Sequence, residues 1–355
     1  MKLGLNLGYW GIGPHGQEAL DLVKAAESAG FDSVWVAESY GSDCVSVLAW
    51  LAAQTETIKL GAAIMQVPAR APAAAAMAGC TIDALSGGRF IFGFGPSGPQ
   101  VSEGWYGVPY AKPWGRTREY VEVVKEIVAR DGRLEHEGKH YRLPVEGEGT
   151  TGQGKALKLN FHPVRNRIPI FVGAIGRKSV EMAAEICDGW IPIFCSPEAF
   201  QAAWGEHVEA GLAKGGRDRS ELEISPTVQV AIDGDLDAAR AVVKAGLLLY
   251  LGGMGSRKTN FYVDLTHRFG FGDAADEVQA LFLDGKREEA YQAIPDELVT
   301  ATSLVGSEAE VAEQLDKYVQ AGVDRLIVSP ISPDPEQRRH TVERLAELAG
   351  VAAPA

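Results

Sequence analysis

The sequence predicts an α/β fold, a (β/α)8 TIM barrel, from its length, the order of its apolar segments and the absence of one motif. A chain of 355 residues is long enough for one such barrel with insertions. Short apolar runs alternate with amphipathic segments eight times, which indicates parallel strands joined by right-handed crossovers. The segment Leu7–Gly13 lacks the third glycine of GxGxxG, which argues against a dinucleotide-binding Rossmann fold. An open α/β sheet is the alternative, but such sheets usually have about five or six strands.

Each predicted strand is a short apolar run, and each predicted helix has its apolar residues on one face. In the segment 17–29, for example, Leu20, Val23 and Ala26 recur with helical spacing before Gly30 ends the helix. The predicted strands are residues 3–7, 33–37, 58–64, 89–95, 168–172, 189–193, 223–231 and 323–328. The predicted helices are residues 17–29, 45–54, 72–85, 114–130, 178–186, 197–213, 236–251, 308–321 and 338–348.

Two segments interrupt the alternation, and we interpret them as insertions after strands 4 and 7 of a single TIM-barrel domain, 1–355. The first, about residues 133–160, contains a hairpin-like run and a glycine-rich stretch. The second, about residues 252–300, is helical in pattern and rich in Phe and Asp.

Composition excludes several classes of protein. The net charge of −13 is spread along the chain, which argues against a nucleic-acid partner, since that needs a basic surface. No apolar run approaches the roughly 18 residues of a membrane span, and the N-terminus reads as a strand without a secretory signal. We therefore predict a cytoplasmic protein without a membrane partner. The four cysteines show no CxxC spacing, so we expect reduced, buried thiols and no metal site.

The loop after the second strand carries the candidate catalytic residues, Glu38 and Ser39. In a barrel, the loops at the carboxyl ends of the strands carry the chemistry. Glu38 either accepts hydrogen bonds from a cofactor, acts as an acid or base if burial raises its pKa, or orients its own loop. Asp43, five residues further on, is predicted to cap the next helix.

The loops after the third and fourth strands are candidate walls for a flat ring. Ala62, Ala63 and Ile64 bring small side chains to a strand end, which either lets a ring approach the backbone or fills a crowded interior. Ser97 lies in a tight loop rich in Gly and Pro, which either lines a ligand or only reverses the chain.

The loop after the fifth strand carries the strongest local signal, a candidate phosphate site. Gly173, Ala174 and Gly176 lead into a helix that begins with Arg177 and Lys178. Backbone N–H groups at a helix N-terminus, glycine turns and positive side chains together favour an anion. The alternative is a glycine turn with two solvated cations. Cations oppose the helix dipole at this end, however, and a bound anion would remove that penalty.

These loops belong to longer stretches that resemble one superfamily. The stretches are AAESAGFDSVWVAE at 25–38, LGAAI at 60–64, LSGGRFIFGFG at 85–95, the turn 173–178 and AAEICDGW at 183–190. Over nearly its whole length, the chain resembles the bacterial-luciferase-like superfamily and, within it, the coenzyme F420-dependent oxidoreductases.

The resemblance implies a dimeric TIM barrel that holds an isoalloxazine-like ring over strands two to four. It also implies a cis peptide bond at Ala63–Ile64, behind the ring, and a phosphate loop at Gly176, Arg177 and Lys178. One departure matters, because Ser39 occupies a place where several members have a histidine. The residue that passes a proton to the substrate therefore stays open.

The leading functional hypothesis is an F420-dependent oxidoreductase that transfers a hydride between the deazaflavin C5 and a small organic substrate. The alternatives are a luciferase-like monooxygenase that uses FMN and a flavin-binding barrel without turnover. Trp10, Trp105 and Tyr106 near the predicted mouth favour an apolar or ring-containing substrate, although exposed packing explains them equally well. A homodimer is the expected assembly.

Overall fold

A parallel β-sheet organises the chain in the computed structural model, which describes residues 1–9, 16–255 and 257–351. The strands of these ranges are β1 (Lys2–Tyr9), β2 (Ser33–Ala37), β3 (Lys59–Ala62), β4 (Met65–Gln66), β5 (Phe90–Gly95), β6 (His136–Glu137), β7 (Arg142–Leu143), β8 (Ile170–Gly173), β9 (Gly189–Ile191), β10 (Glu223–Ile224), β11 (Thr227–Ile232), β12 (Ser303–Gly306) and β13 (Arg325–Pro330). The helices are α1 (Gly16–Ser28), α2 (Cys44–Ala52), α3 (Pro72–Leu85), α4 (Pro99–Gly104), α5 (Pro113–Ala129), α6 (Arg177–Ile186), α7 (Glu206–Gly215), α8 (Leu236–Leu248), α9 (Phe261–Arg268), α10 (Gly272–Leu283), α11 (Arg287–Gln292), α12 (Asp296–Ala301), α13 (Glu308–Gln320) and α14 (Pro335–Leu348).

The sheet is parallel and curled. Its strand order is β10-β9-β8-β5-β3-β2-β1-β13-β11-β12, with β4 paired to β5. Ile193, just after β9, forms a parallel bridge with Thr227 at the start of β11, so strands from distant places in this order meet. The predicted α/β class with a curled parallel sheet is confirmed.

Several local features differ from the predicted elements. The predicted seventh strand, 223–231, is divided into β10 and β11. The predicted third strand, 58–64, is shortened to β3, which ends before the Ala63–Ile64 peptide bond. This bond is cis, as the resemblance implied, and the short strand β4 follows it. The predicted loop after the fourth strand contains the short helix α4, because Pro99 is pre-organised for a first helical position. The strand β12 was not predicted, although it pairs along Gln229–Ile232 of β11. Its apolar run is short and lies between two helices.

The inside of the curled sheet contains a small apolar cluster. Its buried members come from β2, β5, β8, β9 and β13; they are Trp35, Ile91, Phe171, Ile191 and Ile327. Glycines make room for the aromatic rings, since a Cβ on Gly61 would lie 2.3 Å from the Trp35 ring. Arg325, only 1% exposed, lies 5.4 Å from the centroid of the same ring. This packed interior leaves the carboxyl ends of the strands as the face for chemistry.

Gly93 in β5 is expected to tolerate no side chain. A Cβ at this position would lie 1.7 Å from the Ala62 carbonyl oxygen, which belongs to the backbone of β3 and cannot rotate away. We expect Gly93→Ala to lower the free energy of unfolding by about 1–3 kcal/mol, measured by urea denaturation. Gly104→Ala in α4, where a Cβ meets nothing within 4 Å, is the control. Equal stability of the two variants would contradict this close approach of the strands.

The expectations about membrane spans, cysteines and metal ligands are compared here with the described residues only. None of the helices there is long and apolar enough to cross a bilayer. All four cysteines fall inside these ranges, where they are buried and form no disulfide. The same part of the chain holds no group of three or more His, Cys, Asp or Glu arranged for a metal ion.

Candidate active site

The predicted site residues share one rim of the sheet. Glu38 follows β2, Ala63 follows β3, Ser97 lies just after β5, and Ala174 follows β8. These four strands are parallel neighbours in the order β8-β5-β3-β2. Because parallel neighbours end on the same side, the turn 173–178 and the Glu38 loop open toward the same face.

Glu38 is buried and held on both carboxylate oxygens. Arg70 donates to Oε1 at 2.7 Å and to Oε2 at 3.0 Å, and the Gln66 backbone N–H donates to Oε1 at 2.7 Å. The Cys44 thiol donates to Oε2 at 3.3 Å. Burial and the Glu38 charge raise the pKa of that thiol well above its usual value, so it stays a neutral donor. These contacts fit the alternative in which Glu38 orients its loop.

Arg70 was missed by sequence reasoning. Although burial alone would lower it, the ion pair with Glu38 raises the pKa of this guanidinium. Arg70 also donates to Asp43 at 2.9 Å. Arg70 follows the third predicted strand, which ends beside the Glu38 loop. A single positively charged residue at that strand end is the feature from which the sequence could have predicted its role.

Ser39 and Asp43 have separate roles on the same loop. The Ser39 carbonyl accepts a hydrogen bond from the Tyr106 hydroxyl at 3.2 Å, which ties the loop to the segment after α4. Asp43 caps α2, as predicted, because its side chain accepts from the Ser46 N–H at 2.7 Å. Although burial opposes it, bonding to Ser46 and the nearby Arg70 hold the pKa of Asp43 below its usual value.

Ile64 connects three strand ends. It follows the cis bond after β3, and a Cβ on Gly95 of β5 would lie 2.6 Å from its Cδ1. A Cβ on Gly173 of β8 would lie 3.2 Å from its Cγ2. The predicted ring wall at Ala63 and Ile64 thus packs directly against the start of the predicted phosphate turn.

Ser97 is joined to this wall through Gln66. The residue has a positive φ of 63°, and its hydroxyl accepts from Gln66 Nε2 at 3.1 Å. The Ser97 carbonyl accepts from the Tyr110 hydroxyl at 3.0 Å. The Gln66 Oε1 atom is buried and has no hydrogen-bond partner among the described residues. A buried amide oxygen without a donor costs free energy, so this position suits a ligand that supplies one.

The turn 173–178 has the form of an anion site. Gly176 is the N-cap of α6 and no side chain caps this helix. The first N–H groups of a helix have no partner within it, so those of Arg177 and Lys178 are available to an anion. Both side chains are exposed. The residues present therefore fit a phosphate-bearing cofactor.

Three side chains from outside the turn donate hydrogen bonds to its carbonyl groups. Trp190 Nε1 donates to the Ala174 oxygen at 2.8 Å, and Trp204 Nε1 donates to the Ile175 oxygen at 3.0 Å. Arg268 of α9 also donates to the Ile175 oxygen, at 2.8 Å. Burial and the neighbouring Arg177 lower the pKa of Arg268. The neighbouring His267 does not share this role, since its ring lies 2.9 Å from the exposed Asp276.

Arg268→Met is expected to lower cofactor affinity about tenfold, because the turn loses one charged hydrogen bond and a nearby cation. Equilibrium titration with F420, the cofactor that the resemblance implies, measures the loss. The control is Arg257→Met on the same segment, whose partner is the exposed Asp284. If both variants bind F420 as tightly as the parent chain, Arg268 does not support the turn.

One cavity among the described residues lies outside the predicted site. A cavity of about 630 Å³ is lined by Phe269, Asp296 and Lys317 with their neighbours and contains none of the predicted site residues. Trp105 is exposed, and Trp10 lies outside the described residues. The predicted site residues are linked to one another by the strand-end contacts and not by this cavity.

A curled parallel sheet with a glycine turn at a helix N-terminus and a packed strand-end wall on the same rim is typical of barrel-type enzymes that bind a phosphorylated cofactor. The luciferase-like monooxygenase family model matches residues 7–325, and the chain belongs to this family. The predicted superfamily is confirmed.

Relatives and solved structures agree with that assignment. A Mycobacterium tuberculosis protein, whose name gives the class coenzyme F420-dependent oxidoreductase and no substrate, is 50% identical over 93% of this chain and 95% of its own. The F420-dependent tetrahydromethanopterin reductase of Methanopyrus kandleri superposes with a TM-score of 0.79 at 25% identity, over 98% of this chain and 97% of its own. The FMN-bound oxygenating component of 3,6-diketocamphane monooxygenase from Pseudomonas putida has a TM-score of 0.69 at 22% identity, over 100% and 99%. This last likeness shows the fold alone.

Proposed function

We propose that this chain is a coenzyme F420-dependent oxidoreductase that transfers a hydride between the deazaflavin C5 and a small organic substrate. The observation that carries the proposal is the uncapped N-terminus of α6, where Arg177 and Lys178 lie on the same rim as the Ala63–Ile64 wall. The names of the M. tuberculosis and M. kandleri relatives support the choice of cofactor.

The cofactor would be held by two groups of residues. Gly173, Ala174, Gly176, Arg177 and Lys178 would bind the phosphate through backbone N–H groups and positive charge. Ala62, Ala63, Ile64 and Ser97 would contact the ring, and Glu38 would hold this wall in place through the Gln66 N–H. The bound deazaflavin supplies two-electron hydride chemistry, while the protein supplies orientation and electrostatics.

Glu38 and Ser39 were predicted as catalytic residues, and we propose different roles for them. Glu38 is a positioning residue, because both of its oxygens accept hydrogen bonds within the protein. Ser39 follows Glu38 in the same loop, where its hydroxyl would contact a substrate above the ring.

The remaining predictions concern the whole molecule. We propose a single (β/α)8 barrel domain over 1–355 with insertions at about 133–160 and 252–300, placed after its fourth and seventh strands. The hairpin β6–β7 and the helices α9–α12 support these bounds. We also propose a homodimer in the cytoplasm that acts on a small molecule.

Parallel titrations of the apo-protein with F420 and FMN test the cofactor. We expect F420 to bind more tightly, and reduced F420 to be reoxidised by a substrate without oxygen consumption. Tighter FMN binding with oxygen uptake would identify a monooxygenase instead. Binding of either cofactor without any turnover across a panel of carbonyl and alkene substrates would favour the non-catalytic barrel.

A further inference from the structure

Two polar side chains of neighbouring strands, Asn6 of β1 and Ser329 of β13, form a hydrogen bond inside the curled sheet. Asn6 Nδ2 donates to Ser329 Oγ at 2.9 Å. Two residues earlier on each strand, Gly4 pairs in register with Ile327, which belongs to the interior apolar cluster. Because residues two apart on a strand point to the same face, Asn6 and Ser329 also point inward. The Asn6–Ser329 pair therefore lies between that cluster and the rim.

The pair and the proposed ring wall lie on the same interior cluster. Ala63 and Ile64 pack against the cluster, and Asn6 is the register partner of its member Trp35. Asn6 and Ser329 are only partly buried. Because the buried cluster closes the interior on the side of the amino ends, the pair is exposed toward the rim, where the ring wall lies.

The pair lies across the rim from the ring wall. Along the sheet, β13 is three steps from β3, through β1 and β2. In the other direction it is three steps from β8, through β11 and β9, which meet at the bridge between Ile193 and Thr227. A flat ring packed against the Ala63–Ile64 wall would therefore turn its other face toward Asn6 and Ser329.

Two hydrogen-bond donors of the pair have no acceptor among the described residues. The orientation of the Asn6 amide is fixed, because its Oδ1 accepts from the Gly8 N–H at 3.0 Å. The amide nitrogen carries two hydrogens, and the bond to Ser329 uses one of them. Ser329 Oγ accepts that bond, so its own hydrogen is left for another acceptor. Two adjacent donors on the inside of the rim suit a ligand oxygen.

The charges around the pair favour an uncharged ligand. Arg325 points to the same face of β13, but it lies four residues before Ser329 and Ile327 separates the two. Its guanidinium pairs with Asp32 and Glu223 at the amino ends of the strands. This cation is therefore not available to a carboxylate or phosphate at the pair. A carbonyl or hydroxyl oxygen needs only the neutral donors that the pair offers.

We propose that Asn6 and Ser329 bind the oxygen of a small, uncharged aldehyde or ketone substrate, an inference that rests on the proposed F420-dependent function. As the carbonyl carbon accepts the hydride from the reduced deazaflavin, the C=O π bond breaks and its electron pair moves to the oxygen. The two donors stabilise the negative charge that develops there. The oxygen then takes a proton from a water molecule, which leaves as hydroxide. The carbonyl is reduced by two electrons and the cofactor is oxidised by two.

The first test measures binding to the apo-protein without turnover. Isobutyramide, a small neutral amide that hydride transfer does not reduce, is titrated into protein labelled with ¹⁵N-asparagine. The chain has four asparagines, so the side-chain N–H₂ spectrum is simple. We expect the Asn6 signals to shift until the site is saturated and those of Asn160, Asn166 and Asn260 to stay unchanged. An unchanged Asn6 signal, or equal shifts at all four residues, would overturn the proposal.

Ser329→Ala in the same titration should weaken isobutyramide binding about fivefold, because one of the two hydrogen bonds is lost. Ser220→Ala is the control, since Ser220 is exposed before β10, at the amino ends of the strands. Equal affinities of the two variants would mean that Ser329 does not bind the oxygen.

The second test measures reoxidation of bound, reduced F420 by benzaldehyde in a single turnover. Asn6→Asp keeps an oxygen that accepts from the Gly8 N–H and removes both amide donors. Since loss of one donor to a developing oxyanion costs about 10²–10³-fold, this variant should slow the step on the order of 100-fold. F420 affinity, measured separately by titration, should be unchanged, because the pair lies across the rim from the ring wall.

The outcomes of this second test are distinct. Failure of the parent protein to bind F420 would refute the proposed function. A parent protein that binds F420 but reduces no neutral aldehyde or ketone would refute the substrate class. A normal rate in Asn6→Asp would refute the role of the pair, and so would a slower rate that only follows a loss of F420 affinity, because the effect would then be structural.

Discussion

Replacement of Arg70 by Met is expected to lower the free energy of unfolding by about 3–5 kcal/mol. The Glu38 and Arg70 side chains are only 3% and 19% exposed, and the arginine holds both carboxylate oxygens. Without it, a buried carboxylate loses its charged partner and keeps only weaker donors. Urea denaturation followed by circular dichroism measures the loss.

Two further variants separate the effect of breaking this ion pair from the effect of removing any arginine side chain. Arg167→Met removes a guanidinium that is 79% exposed and pairs with Asp188, so we expect less than about 1 kcal/mol. Glu38→Gln in the Arg70→Met background should recover part of the stability, because a neutral amide leaves no unpaired charge. If Arg70→Met costs no more than Arg167→Met, the ion pair does not organise the rim.

The double variant Arg177→Ala, Lys178→Ala is expected to weaken F420 binding on the order of 100-fold or more. Each side chain would lose a charged hydrogen bond to phosphate, worth about 1.5–3 kcal/mol, and exposure to solvent favours the lower end. Both side chains are exposed, so the free energy of unfolding should change by less than about 0.5 kcal/mol. Fluorescence titration with F420 and urea denaturation give the two values.

Lys155→Ala, Lys158→Ala is the matched control, since it removes the same charge from two exposed positions in the first insertion. This control should reduce F420 affinity by no more than a few-fold through the long-range field. Equal losses in the two double variants would mean that net charge, and not the α6 turn, attracts the cofactor.

The main elements of the fold could be predicted because their signals are local. The strand at 33–37 and the helix at 72–85 have the predicted bounds, since apolar runs and helical periodicity lie within each segment. The strand β12 was not predicted because four residues give almost no pattern of apolar and polar side chains. Its position depends on β11, more than 70 residues earlier in the chain.

The candidate site was predictable only in part. The turn at Gly176 and the cap at Asp43 are encoded by neighbouring residues, so their chemistry is visible in the sequence. Arg70 reaches Glu38 across 32 positions, and Arg268 reaches Ile175 across 93. Which cation meets which partner is decided by strand order and by the packing of the second insertion, neither of which a local pattern specifies.

A crystal structure of the protein with F420 tests the central claim most directly. We predict the cofactor phosphate within hydrogen-bonding distance of the Arg177 or Lys178 backbone N–H, about 2.7–3.2 Å, with the ring against Ala63–Ile64. A phosphate bound away from residues 173–178, or a ring that does not contact the Ala63–Ile64 wall, would contradict it.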